Sequence, residues 1–92
     1  MFMTRAHVYV RGKVQGVSFR ASAREKALVF GVTGWVKNCA DGGVEAVFEG
    51  NKKIVDEIVN WCKKGPSGAF VQHIEVCWEE HSGDFDEFSV VY

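Results

Sequence analysis

Proline is almost missing from this chain: one residue, Pro66, and no low-complexity stretch or repeat beside it. A disordered or linker-rich segment therefore has no compositional basis. No apolar run approaches the roughly 20 residues of a membrane-spanning helix. The first five residues, ending in Arg5, lack the apolar stretch of a signal peptide. A cytoplasmic protein without membrane contact is expected. Cysteine occurs three times, at Cys39, Cys62 and Cys77, too widely spaced and odd in number for a disulfide framework or a metal pattern. These are expected to be reduced thiols, as in cytosolic proteins. The histidines His7, His73 and His81 are scattered, and the acids Glu79, Glu80, Asp84, Asp86 and Glu87 follow no ligand spacing. No metal and no cofactor are expected, and the acids suit a solvated end of the molecule. A formal net charge of -1 leaves no surplus for the basic face of a general nucleic-acid binder.

What the chain has is a core-forming composition. With 92 residues, 47% of them hydrophobic and 25% charged, it can build one core but not two. A single domain over residues 1–92 is expected. Residues 6–11 alternate, with Val8 and Val10 on one face and His7, Tyr9 and Arg11 on the other, which predicts a strand. Gly12 and Gly16 punctuate the segment after this strand. From Phe19 to Phe30 the period becomes helical through Phe19, Ala23, Ala27 and Phe30, and Gly31 is a stop. Residues 32–39 predict a second strand with Gly34, Val36 and Asn38 on one face, and Asp41-Gly42 is a hairpin signal. Val44, Ala46 and Phe48 form the inward face of the returning strand, with Glu45, Val47 and Glu49 opposite.

Asn51 is a candidate N-cap for a second helix, whose apolar stripe is Ile54, Val55, Ile58, Val59 and Cys62, with Trp61 at its edge. Lys63-Lys64-Gly65-Pro66 ends it. Gln72, Ile74, Val76 and Trp78 predict one face of a fourth strand, and Phe88, Val90 and Tyr92 one face of a last strand after the turn at Ser82-Gly83-Asp84. Phe48, Trp61, Trp78 and Phe88 sit at core spacing. The order is β-α-β-β-α-β, with room for an extra short C-terminal strand. Each helix has one apolar stripe, so both should cover one face of an antiparallel sheet. That is an α+β, ferredoxin-like sandwich.

The start of the first helix carries charge of the wrong sign for its own stability. A helix N-terminus bears partial positive charge and favours acids, yet this one has Arg20 and Arg24 and no acid before Glu25. The two arginines are also four apart, a like-charge pair. Each term costs a few tenths of a kcal/mol, up to about 1. An anion bound there would reverse their sign. The preceding Gln15-Gly16-Val17-Ser18-Phe19 offers backbone N–H groups that can converge on phosphate oxygens, and Gly16 permits a left-handed turn or close approach. Arg20 can add two parallel hydrogen bonds. On these features alone, a plain strand–helix turn with solvated arginines stays open. The spacings of a Walker loop and of a dinucleotide fingerprint are both absent.

Longer motifs are more specific. Gly12-Lys13-Val14-Gln15-Gly16-Val17-Ser18-Phe19-Arg20, then Gly34-Trp35-Val36-Lys37-Asn38, then Asp41-Gly42-Gly43-Val44-Glu45, together resemble the acylphosphatase family over nearly the whole chain. The resemblance implies hydrolysis of the carboxyl–phosphate bond of a small acyl phosphate, releasing inorganic phosphate. It implies a phosphate-binding loop of Gln15, Gly16, Val17, Ser18 and Phe19, with Arg20 as charged anchor. It also implies that Asn38 positions the attacking water, so that Arg20 and Asn38 are the catalytic pair. Without the resemblance, a strand-end amide capping the next turn is the plainer reading of Asn38. Lys13, Lys37 and Arg24 are candidates to steer anions, or plain solvated charges.

The chemistry fits so small a set. Carboxylic acids ionise near pKa ~4, so the leaving group departs as an anion and needs no proton from an acid. Phosphoryl transfer then asks mainly for positioning and charge stabilisation. Two other classes share the element order. A non-catalytic anion-binding or protein-interaction module would bind phosphate without turnover. An RNA-binding module would need paired aromatics on its third strand, where Val44-Glu45-Ala46-Val47-Phe48-Glu49 is acidic. Nothing in the sequence demands more than a monomer.

Overall fold

The structure is a computed structural model that describes residues 2–92; Met1 lies outside the described residues. Seven elements run in order along the chain: β1 (Met3–Lys13), α1 (Phe19–Phe30), β2 (Thr33–Asn38), β3 (Val44–Asn51), α2 (Lys52–Cys62), β4 (Phe70–Glu79) and β5 (Phe88–Val91). The strands form one sheet in the order β4-β1-β3-β2-β5. β1 is antiparallel to both β3 and β4, and β2 is antiparallel to β3. Those four strands with the two helices make the expected ferredoxin-like frame. The short fifth strand joins β2 in parallel, Gly34 opposite Phe88 and Val36 opposite Val90, so the sheet is mixed rather than wholly antiparallel.

Both helices bury their stripes on the same core. α1 sinks Phe19, Ala23 and Ala27, and α2 sinks Val55, Ile58, Val59 and Cys62. They meet Val8, Val10, Val36, Ala46 and Phe48 from the sheet, with Phe48 stacked on Phe88 at 5.4 Å. Asn51 caps α2 as its type predicts, its side chain accepting from the Lys53 N–H at 3.0 Å. β2 needs glycine at Gly34: φ is 135°, and a Cβ there would lie 1.8 Å from the Val47 carbonyl oxygen.

Two expectations about β4 are corrected. The pairing with β1 shifts register between Arg11 and Gly12, so Gln72 is an extra residue in a bulge. Val71, Ile74 and Val76 therefore pack against the core, while Gln72 is exposed. Trp78 also lies at the sheet's rim rather than in the core, 44% exposed, with the Lys52 ammonium 4.1 Å from a ring centroid. On the face away from the helices, Glu49 is buried. It accepts from the Ser82 N–H (2.9 Å), the Ser82 hydroxyl (2.6 Å) and the Gly83 N–H (3.1 Å) of the β4–β5 connection.

Candidate functional site

One end of the sheet gathers the loop and arginine of the first motif and the asparagine that ends the second. The β1–α1 connection and the end of β2 meet there around a cavity of about 360 Å³ lined by Val14, Gly16, Ser18, Phe19, Arg20, Ala21, Asn38, Val90 and Tyr92. The loop, the arginine and the asparagine thus face one space. Gln15 and Val17 lie in the same loop but do not line the cavity.

The loop is fixed by its apolar side chains, which leaves its amides unengaged. Val14 and Phe19 are buried, and Val17 packs partly against the core. Phe19 lies 5.2 Å from the Trp61 ring and anchors the first turn of α1. Gly16 (φ 74°) and Ser18 (φ 63°) are both left-handed, and Val17 between them is not. Left-handed residues on both sides of Val17 are compatible with an anion nest, in which neighbouring residues of alternating hand turn successive N–H groups to one side. Ser18 is the only non-glycine at positive φ among the described residues, a strained conformation of the kind that clusters at functional sites.

Ser18 is the N-cap of α1, yet its side chain makes no capping hydrogen bond and the first turn holds no acid. The first bond back into the loop is from the Ser22 N–H to the Ser18 carbonyl, at 3.0 Å. The N–H groups of Phe19, Arg20 and Ala21 precede it and are the usual orphans of a helix start. Arg20, half-buried, stands among them, and no carboxylate of the described residues comes within 4.0 Å of its guanidinium. Its neighbour is instead the Tyr92 ring, with Cζ 4.9 Å from the centroid. The result is a concave site that holds a guanidinium with no ion-pair partner among the described residues.

Asn38 arrives from the other side. It ends β2 on the face shared by Gly34 and Val36, opposite Val44 in register. Beyond it the β2–β3 turn closes with Cys39 N–H to the Gly43 carbonyl at 2.8 Å. Asp41 accepts from the Gly43 N–H at 3.0 Å and pairs with Arg11. The Gly43 hydrogen bond, helped by Arg11, holds the Asp41 carboxyl below its usual range. Gln15 donates to the Cys39 carbonyl at 2.7 Å and to the Gly43 carbonyl at 2.9 Å. Its side chain is therefore committed to the turn and not to the cavity.

The steering candidates separate. Lys37 occupies the opposite face of the sheet, 3.7 Å from Glu45 and over the Trp35 ring. Arg24 borders a neighbouring hollow beside Ala21, Val90 and Tyr92. Cys39 is half-buried, and burial, with Glu45 beside it, pushes its thiol pKa up, which makes it a poor nucleophile. No group of three or more potential metal-ligating side chains occurs among the described residues. Sequence reasoning missed the walls, Val14, Ala21, Val90 and Tyr92. Val90 and Tyr92 come from β5 and its end, and only its parallel pairing with β2 brings them here.

Comparison with known proteins agrees with this architecture. A sequence model of the acylphosphatase family matches residues 6–90. An acylphosphatase of Syntrophus aciditrophicus is 54% identical over 90 residues, covering 98% of this chain and 94% of the relative. One from Pelotomaculum thermopropionicum is 48% identical over the full length of both chains. The crystal structure of an acylphosphatase from Bacillus subtilis superposes with a TM-score of 0.92 at 33% identity, covering 99% of this chain and 100% of the other.

Proposed function

Because the chain belongs to the acylphosphatase family and is a hydrolase of that family, we propose that it cleaves small acyl phosphates without a metal ion, using Arg20 and Asn38. The observation that carries this reading is that Gly16, Ser18, Phe19, Arg20 and Asn38 border one and the same cavity. The phosphoryl group sits in the nest between residues 15 and 20. Loop and helix-start amides and the Arg20 guanidinium hold its non-bridging oxygens, where charge gathers as the P–O bond to the acyl group breaks.

Asn38 holds the attacking water. Its side-chain carbonyl accepts a hydrogen bond from that water and fixes it in line with the leaving oxygen. The water oxygen bonds to phosphorus as the bond from phosphorus to the acyl oxygen breaks, its electron pair leaving with the carboxylate. The carboxylate leaves as an anion, and the water's proton goes to the phosphate product. No general acid is called for, because a carboxylate with a conjugate-acid pKa near ~4 is a competent leaving group on its own. Arg20 takes the place a cation would otherwise fill.

We further infer a single-domain, monomeric protein of the cytosol. Three free cysteines, one of them fully buried, support a reducing compartment. Acetyl phosphate hydrolysis in the presence of EDTA tests the reading. Turnover well above the buffer rate is expected, while phosphate binding without turnover would favour a non-catalytic anion-binding module on the same fold.

A further inference from the structure

We propose that Gln15 is a positioning residue for Asn38: its carboxamide sets how far the end of β2 lies from the loop that carries Arg20. The inference rests on the roles given above to Arg20 and Asn38.

The two halves of the site come from strands that do not touch. In the order β4-β1-β3-β2-β5, β3 lies between β1, which leads into the loop, and β2, which ends in Asn38. No backbone hydrogen bond among the described residues joins residues 14–18 to residues 38–43. Left to the main chain, loop and strand end would be registered only through the start of β3, at Val44. That is a weak constraint for chemistry in which a displacement of about 1 Å can cost about a hundredfold in rate.

Gln15 supplies the missing tie. Both protons of its NH2 group are used, one on the Cys39 carbonyl (2.7 Å) and one on the Gly43 carbonyl (2.9 Å). The Cys39 carbonyl belongs to the residue directly after Asn38. Gly43 precedes Val44, the register partner of Asn38, and its carbonyl also takes the Cys39 N–H at 2.8 Å. One planar amide thus grips both ends of the turn that terminates β2. A second tie, Arg11 to Asp41, reaches the same turn, but its side chains are 44% and 53% exposed and solvent screens it.

Glutamine suits this position better than its nearest analogues. The acceptors are two carbonyls, so a glutamate would face them with the wrong polarity. Asparagine would fall one methylene short. A side chain spent on the turn also ties down the start of the loop, immediately before left-handed Gly16.

The test is a double-mutant cycle. Gln15→Met keeps length and bulk but removes both donors. Acetyl phosphate turnover and competitive inhibition by inorganic phosphate are measured for the wild type, Gln15→Met, Asn38→Ala and the double variant. Gln15→Met is expected to lower kcat about tenfold or more, with the phosphate Ki held within about twofold. The double variant should be no slower than Asn38→Ala alone, because the tie has nothing left to position. An unchanged kcat overturns the proposal. So does a phosphate Ki that rises in step with the loss of kcat, which would mean that Gln15 shapes the loop alone, and so does a double variant slowed by the product of the two single effects. If Asn38→Ala turns over like wild type, the role of Asn38 itself fails and the inference falls with it. Should Gln15→Met not fold, Gln15→Asn withdraws the donor by one methylene and is read by the same criteria.

Discussion

The Tyr92 ring lies beside the Arg20 guanidinium, 4.9 Å from centroid to Cζ, and is the aromatic partner of the residue proposed to anchor the phosphate. Tyr92 is 98% exposed, so the contact belongs to the weak end of cation–π interactions, about 0.5–1 kcal/mol. Its effect is to narrow the rotamers of a long side chain that has no carboxylate to hold it. Replacing Tyr92 with alanine should weaken inhibition by inorganic phosphate about two- to fivefold. Tyr92→Phe should leave it unchanged. Equal inhibition constants for wild type and the alanine variant would remove Tyr92 from the site.

Gly34 sets the position of β2, and through it the position of Asn38. A methyl group at residue 34 would meet the Val47 carbonyl carbon at 2.8 Å as well as its oxygen, both backbone atoms that cannot swing away. The φ of 135° is itself a conformation L side chains rarely adopt. Gly34→Ala should therefore lower stability by about 3 kcal/mol or more, seen as a reduced urea midpoint. A midpoint within experimental error of wild type would mean that β2 can slide away from β3.

Acid should loosen the connection between β4 and β5. Burial alone would raise the pKa of Glu49. The hydrogen bonds from the Ser82 hydroxyl and from the Ser82 and Gly83 amides outweigh it, aided by His81, and hold the carboxyl below its usual range. A depressed carboxyl stabilises the fold above its unfolded pKa of about 4.3, and this contribution is lost as pH falls through the lower folded value. Stability measured by urea unfolding should fall below about pH 5, with Asp41 contributing in the same direction. Glu49→Gln should cost about 1–3 kcal/mol at neutral pH and make the acid limb shallower. A wild-type acid limb that matches that of the variant would contradict this assignment.

The residues themselves explain how much of the fold and the site is legible in the sequence. Phe19 to Phe30 shows its period and its glycine stop, Asn51 its cap, and Asp41-Gly42 its turn, because each is a local event written in adjacent residues. The alternation through β4 misleads at Gln72, since a bulge is a property of the strand pair and leaves no mark in one strand alone. Trp78 misleads for a related reason: spacing gives the face, but only the sheet order shows that β4 is an edge. Within the site, charge at a helix start points to the loop and Arg20. Asn38 needs the family pattern, because one strand-end amide looks like any other. The tie from Gln15 is invisible in sequence, since its acceptors lie 24 and 28 residues away. Val90 and Tyr92 reach the cavity only because β5 pairs in parallel with β2.

The division of labour between Arg20 and Asn38 is tested most directly by measuring acetyl phosphate hydrolysis of Arg20→Ala and Asn38→Ala with inorganic phosphate as competitor. Asn38→Ala is expected to lose about a hundredfold or more in kcat while its phosphate Ki stays within about twofold, and Arg20→Ala to lose both turnover and phosphate inhibition. Wild-type turnover in Asn38→Ala, or undiminished phosphate inhibition in Arg20→Ala, would contradict the assignment of these roles.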